Sequence, residues 1–290
     1  MDRRSFLKTA AAVGATTLPL KNLNAEESKK ELEFVGVLVD TTRCIGCRSC
    51  EIACSEEHNL YIPDVINDSA LNEIRDTSEK QWTVVNCYET DKGKVYVKKQ
   101  CMHCWQPACT AACLTNAMLK TKEGPVVWRE DKCMGCRFCM VSCPFDIPKF
   151  EYNEWNPKIQ KCKMCYERIQ VGQKPACVTA CPKDALMFGN KRELMEIARH
   201  RIYNHPDKYV LKIYGEYEVG GTGWLYLSAV PFEQIGFRTD LGTTPYPEYT
   251  REFLYAVPLV LFGLPALLLG LNLLTEGKNE LSNNQEWKNE

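Results

Sequence analysis

The sequence predicts an α+β protein made of duplicated cysteine-rich modules and ending in a single transmembrane helix. Three observations predict it. Sixteen of the seventeen cysteines fall into four compact groups of four. Short strand-like runs and one capped helical run lie between and after those groups. Near the C-terminus, Phe253 to Leu274 is about 22 residues without a charge, long enough to cross a bilayer at the helical rise.

The elements follow in order. The chain opens Asp2-Arg3-Arg4-Ser5-Phe6-Leu7-Lys8, with a mild apolar run from Thr9 to Leu20. Paired arginines before such a run resemble a twin-arginine export signal, and Leu23-Asn24-Ala25 offers a cleavage site. Residues 1–25 are therefore expected to be a signal peptide. Glu33 to Thr41 reads as a strand leading into the first cysteine group, and Ser55 to Lys80 as an inserted polar surface loop. Trp82 to Tyr88 and Lys94 to Lys99 flank Thr90-Asp91-Lys92-Gly93, a hairpin signal. Gly124 to Trp128 is a further short strand before the third group. Asn190 with Glu193 reads as a capping box opening a helix to about Tyr203, with Leu194, Ile197 and Ala198 on its apolar face. Tyr214 to Leu227 is rich in glycine and aromatics, fit either to dock a partner or to pack at an edge. These readings give a cysteine body over 26–190, a helix and docking segment over 191–250, a transmembrane helix over 251–274 and a cytoplasmic tail over 275–290.

The cysteines carry the chemistry. The groups are Cys44, Cys47, Cys50, Cys54; Cys101, Cys104, Cys109, Cys113; Cys133, Cys136, Cys139, Cys143; and Cys162, Cys165, Cys177, Cys181. Groups one and three read C-x2-C-x2-C-x3-C, and Cys143 and Cys181 each precede a proline. Disulfides or C-x-x-C zinc sites are the plainer readings, but a structural zinc site needs neither the third close cysteine nor the Cys-Pro. The run resembles that of a bacterial ferredoxin, which implies duplicated ferredoxin-like modules and four [4Fe–4S] clusters with sixteen cysteines as iron ligands. In a ferredoxin the fourth cysteine of one run serves the neighbouring cube. The resemblance therefore implies Cys101, Cys104, Cys109 with Cys143; Cys133, Cys136, Cys139 with Cys113; Cys44, Cys47, Cys50 with Cys181; and Cys162, Cys165, Cys177 with Cys54.

The formal charge is −1. Four oxidised cubes with their thiolates add about −8. Lys98, Lys99, Lys132, Arg137, Lys149, Lys158, Lys161, Lys163, Arg168 and Lys174 lie near ligands in sequence and are expected to offset it, rather than to bind nucleic acid. Gly46 and Gly135 sit between ligands, where the backbone must approach sulfur. Cys87 lies in a strand-like run and reads as a small buried apolar residue. His103, inside the Cys101–Cys104 loop, reads as a neighbour of the cluster rather than its ligand. His58, His200 and His205 show no ligand spacing.

Export and clusters explain each other. Free thiols threaded into an oxidising compartment would form disulfides, whereas the twin-arginine route moves folded proteins. The clusters are then expected in the periplasm, anchored in the inner membrane. Gly263, Ala266 and Gly270 offer a helix-packing face. Together the signal, the four groups, the Tyr214-Gly215-Glu216…Gly220-Gly221-Thr222 segment and the terminal helix resemble the iron–sulfur subunits of membrane-bound respiratory oxidoreductases. Lys98 to Cys104 and Cys136 to Val141 look most like the nickel–iron hydrogenase 2 type. Formate dehydrogenase, dimethyl sulfoxide reductase and polysulfide reductase subunits share the cluster framework. The resemblance implies a non-catalytic electron carrier, a nickel–iron or molybdopterin catalytic partner, a multi-helix quinone-binding membrane subunit, and no nucleic acid. A cluster-bearing redox sensor or scaffold is the reading from another class.

Overall fold

The computed structural model describes residues 34–65, 68–273 and 275. The expected export signal, its cleavage site and the tail beyond residue 275 lie outside the described residues. Strand β1 (Val35–Asp40) forms the centre of a three-stranded sheet. It runs antiparallel to β8 (Leu186–Asn190) and parallel to β9 (Trp224–Leu227). Alternation along these strands divides the core. Val37, Val39, Leu186, Trp224 and Tyr226 face Met102, Met164 and Cys177. Leu38, Leu225 and Leu227 face the other way, onto Leu194 and Ala198 of helix α6 (Lys191–Asn204). The sheet thus stands between the cysteine body and α6.

The glycine-rich segment is packed rather than free to dock. Trp224, Leu225, Tyr226 and Leu227 are buried, and the chain before them backs the second cysteine group. Gly223 N–H donates to the Met102 carbonyl at 2.9 Å, and Trp105 N–H to that of Gly221 at 2.9 Å.

The local signals place the remaining elements. β2 (Val84–Thr90) and β3 (Gly93–Lys99) form the hairpin, turning at Asp91 and Lys92. Cys87 in β2 is half-buried opposite Tyr96, less enclosed than its strand context predicts. β4 (Met118–Lys120) pairs with β5 (Val126–Trp128), and β6 (Lys149–Phe150) with β7 (Ile159–Gln160). Asn190 caps α6 by accepting the Arg192 N–H at 3.0 Å. The segment read as a loop from Ser55 begins as helix: α1 (Ser49–Glu57) runs three residues into it. Arg75 then ties the loop back. It donates to Glu51 of α1 at 2.7 Å, and that buried carboxylate also takes Arg48 at 2.9 Å and the Val85 N–H at 2.5 Å.

Helix α7 begins at Tyr246, earlier than the uncharged stretch alone implies. It runs as α-helix over Tyr246–Pro258, as a π turn over Leu259–Gly263, and as α-helix again to Leu273. Pro258 supplies no N–H, so the ladder re-forms one residue wider after it. Leu259, Leu261, Phe262, Leu267 and Leu269 are exposed along the helix, the surface that lipid covers.

Candidate metal centres

One local geometry recurs at the cysteine groups. Short helical turns carry the third cysteine of each group: α1 (Ser49–Glu57), α2 (Ala108–Ala111), α3 (Phe138–Val141) and α5 (Ala176–Thr179), with α4 (Tyr166–Gln170) following Cys165. Gly46 and Gly135 have φ of 71° and 72°, and the next-but-one residues Arg48 and Arg137 have 58° and 60°. At Gly135 a Cβ would meet nothing within 4 Å, so the positive φ, not crowding at sulfur, is what asks for glycine there. Three residues beyond Cys113, Cys143 and Cys181 stand Asn116, Asp146 and Asp184, each left-handed, turning the chain into β4, β6 and β8.

The sixteen thiols gather into four sets. Cys44 lies by Cys181 and Cys47, and these three with Cys50 line one small cavity of about 30 Å³. Cys54 lies by Cys162, Cys177 and Cys165. Cys104 lies by Cys143, Cys101 and Cys109. Cys139 lies by Cys113, Cys133 and Cys136, around a cavity of about 20 Å³. Each set mixes cysteines from two sequence groups. The sets also stand in a row. Cys50 neighbours Cys177, Cys162 neighbours Cys101, and Cys109 neighbours Cys139. Exposed Cys47 and Cys136 belong to the two end sets.

Burial sets the thiol chemistry. Burial, then the charge of neighbouring thiolates, pushes Cys109 up to about 12, and burial then Cys113 pushes Cys139 up to about 11. Cys50, Cys54 and Cys104 are raised by the same first cause. Crowded buried thiols resist ionising until a cation joins them, so metal binding drives protons off. Cys113 differs. Burial raises it, but the Met118 N–H (3.4 Å), Thr115 hydroxyl and Ala117 N–H (3.1 Å) outweigh that and lower its pKa.

Two lysines are buried here without a carboxylate partner. Lys98 Nζ donates to Gln100 Oε1 at 3.0 Å and stands 4.6 Å over the Trp224 ring. Burial alone would depress it, but Cys177, Cys50 and Cys162 outweigh burial and raise its pKa. Lys161 Nζ donates to the carbonyls of Val126 (2.5 Å) and Cys162 (2.8 Å). Lys120, which sequence order did not bring forward, donates to the Cys104 carbonyl at 2.8 Å. Lys99, Lys149, Lys158, Lys163 and Arg168 instead form ion pairs with Asp76, Asp146, Glu130, Glu167 and Glu57. They contribute less to the sets than their sequence positions imply.

The polar groups around the thiols fit iron–sulfur cubes. The indole N–H groups of Trp82, Trp128 and Trp224 and His103 Nε2 are buried with no acceptor. His103 Nδ1 accepts the Val126 N–H at 2.8 Å, which places the ring proton on Nε2. A buried donor left unpaired costs about 1–3 kcal/mol; cube sulfides are acceptors of the kind these donors lack, and Trp128 lines the same cavity as Cys113, Cys133, Cys136 and Cys139. Among the described residues no three His, Cys, Asp or Glu side chains gather as closely as a single metal ion needs.

Sets of four thiols in a row, compensated by buried cations, define an iron–sulfur electron carrier. Residues 93–191 match the 4Fe-4S dicluster domain family, and residues 1–19 the twin-arginine translocation pathway signal sequence. The chain is 34% identical over 294 residues to the hydrogenase-2 operon protein HybA of Escherichia coli O157:H7, covering 88% of this chain and 90% of that one. It is 36% identical over 240 residues to the nitrate-inducible formate dehydrogenase iron-sulfur subunit of Escherichia coli K12, covering 78% and 76%. A protein of Nitratidesulfovibrio vulgaris is 44% identical over 271 residues, covering 90% and 73%. The chain therefore belongs to the family of respiratory iron–sulfur subunits that includes HybA and the formate dehydrogenase subunits. It is an electron-transfer subunit carrying four [4Fe–4S] clusters, exported by the twin-arginine route and anchored by a single C-terminal pass.

Proposed function

We propose that the chain carries electrons one at a time between a periplasmic nickel–iron hydrogenase subunit and a multi-helix, quinone-reactive membrane subunit. Its ligands are Cys44, Cys47, Cys50 and Cys181; Cys54, Cys162, Cys165 and Cys177; Cys101, Cys104, Cys109 and Cys143; and Cys113, Cys133, Cys136 and Cys139. The observation that carries this reading is the unbroken row of thiol neighbours from Cys47 to Cys136. The clusters supply reversible one-electron chemistry, while this chain's residues fix their spacing, burial and hydrogen bonds. The recurring helix turn, left-handed Asn or Asp and short strand support duplicated ferredoxin-like modules. The buried β9 puts part of 191–250 into the same body as 34–190, so the proposed boundary is functional rather than a break in packing.

The row has a direction relative to the bilayer. Helix α2, which carries Cys109 and precedes Cys113 in the chain, touches α7, and this contact supports the Cys113 end of the row as the membrane side. Leu114, Met134, Phe138 and Val141 are exposed around that set, a surface suited to a membrane partner. Ile45 is exposed beside Cys47 at the other end, where the catalytic subunit would dock. The relatives at 33–36% identity named for formate dehydrogenase favour a molybdopterin partner as the second reading. The chain itself is read as a carrier and not a catalyst.

Detergent extraction followed by purification on this chain tests the proposal. The expected preparation holds about sixteen irons and as many sulfides per chain, and a nickel subunit. Molybdenum in place of nickel selects the second reading. A fully metallated chain that arrives alone, inert to hydrogen and quinol, overturns both in favour of a sensor or scaffold.

A further inference from the structure

His58 closes α1 and lies far in sequence from the group that holds Cys165, yet its Nε2 stands 3.4 Å from Cys165 Sγ. The contact is imposed from both sides. Glu57, the residue before it, pairs with Arg168, three residues after Cys165, at 2.9 Å. The imidazole stacks on Trp82 with centroids 4.7 Å apart. Trp82 is itself packed with Cys54, Cys101 and Cys162, so the ring cannot turn away without displacing the wall of two sets.

A cysteine sulfur bound to iron carries no proton and can only accept. The proton of the contact must then come from Nε2–H. We infer that His58 donates this hydrogen bond to the Cys165 thiolate and raises the reduction potential of the cluster held by Cys54, Cys162, Cys165 and Cys177. The inference rests on the ligand assignment proposed above. When one electron reaches this set from the Cys44 set, negative charge on the Cys165 sulfur grows, and a donor bonded to it stabilises the reduced form more than the oxidised one. When that electron passes on toward the Cys101 set, the charge falls again. The proton stays on Nε2 throughout, and no bond to His58 forms or breaks. His58 is thus a positioning residue that makes the first hop along the row more favourable.

The test uses the whole complex carrying His58→Phe, His58→Gln and Cys165→Ser, with redox titration followed by electron paramagnetic resonance. His58→Phe keeps a flat ring against Trp82 but removes the donor; about tenfold weaker reduction of one cluster is expected, a fall of about 59 mV for a one-electron couple. Iron content and the other three potentials stay at wild-type values. His58→Gln offers an amide donor and recovers most of the shift. Unmoved potentials in His58→Phe, a shift shared by all four clusters, or equal shifts in Phe and Gln would each overturn the inference. Pulsed resonance on wild-type complex with 15N-histidine should show coupling to one reduced cluster that His58→Gln removes. Its absence counts against the proposal even where His58→Phe does not assemble. Cys165→Ser separates the two levels: loss of one cluster is expected, and retention of all four refutes the ligand assignment on its own.

Discussion

Lys98 offers the sharpest numerical test of how this body sets potentials. The residue is 3% exposed and its ammonium neighbours Cys177, Cys50 and Cys162, so it faces the Cys44 set and the Cys54 set at once. Lys98→Met removes the charge and keeps an unbranched chain over the Trp224 ring. Gln100 still donates to the Tyr226 hydroxyl at 2.6 Å. For charges about 7 Å apart at an effective dielectric constant of about 20, one ammonium stabilises one added electron by about 2.4 kcal/mol. Converted at 59 mV per tenfold, this is about 100 mV, and water entering the vacated space reduces it to roughly 50–100 mV. Redox titration of the purified complex should find the clusters of these two sets lowered by that amount and the Cys113 cluster nearly unmoved. A shift under about 20 mV, or the same shift in every cluster, refutes the assignment of Lys98 as a local counter-ion.

Three more outcomes follow from the same geometry. Glu51→Gln strips a buried carboxylate from Arg48 and Arg75. It should cost about 3–5 kcal/mol and lower the midpoint of thermal bleaching of the visible cluster absorbance; an unchanged midpoint contradicts the role given to that triad. Trp128→Phe keeps the ring but removes the buried N–H. The potential of the Cys113 cluster should fall while iron content holds, and an unmoved potential shows that the indole donates elsewhere. Chelating iron under reducing conditions should melt the body, because Cys54, Cys101, Cys162, Cys109 and Cys139 are members of its apolar clusters. Native far-ultraviolet circular dichroism in the iron-free chain would disprove that dependence.

What could be read along the chain was what short spacing encodes. Four-residue cysteine groups, the Thr90 to Gly93 turn and the Asn190 cap are local, and each element stands where its signal lies. The strand Trp224–Leu227 was hidden because its partner, β1, is nearly two hundred residues earlier. Its glycines and aromatics fit a docking surface as well as a core strand until that pairing is known. His58 was passed over for a similar reason. It has no neighbouring ligand in sequence and meets Cys165 only through the Glu57–Arg168 tie. Charge was misjudged in detail, since sequence proximity to cysteine does not tell a buried ammonium such as Lys98 from a lysine paired at the surface, such as Lys163 with Glu167. Lys120 was missed because it reaches Cys104 across a turn, through a carbonyl.

The placement of β9 sets a timetable for biogenesis. The Thr41 hydroxyl donates to the Leu227 carbonyl across 186 positions, and Gly221 and Gly223 brace the loop of Cys101 to Cys104. A nascent polypeptide halted before residue 221 lacks both the third strand and that brace. Cofactor delivery to the interior therefore follows release of nearly the whole chain from the ribosome, and the export machinery receives a cargo whose last-made strand has already locked its first.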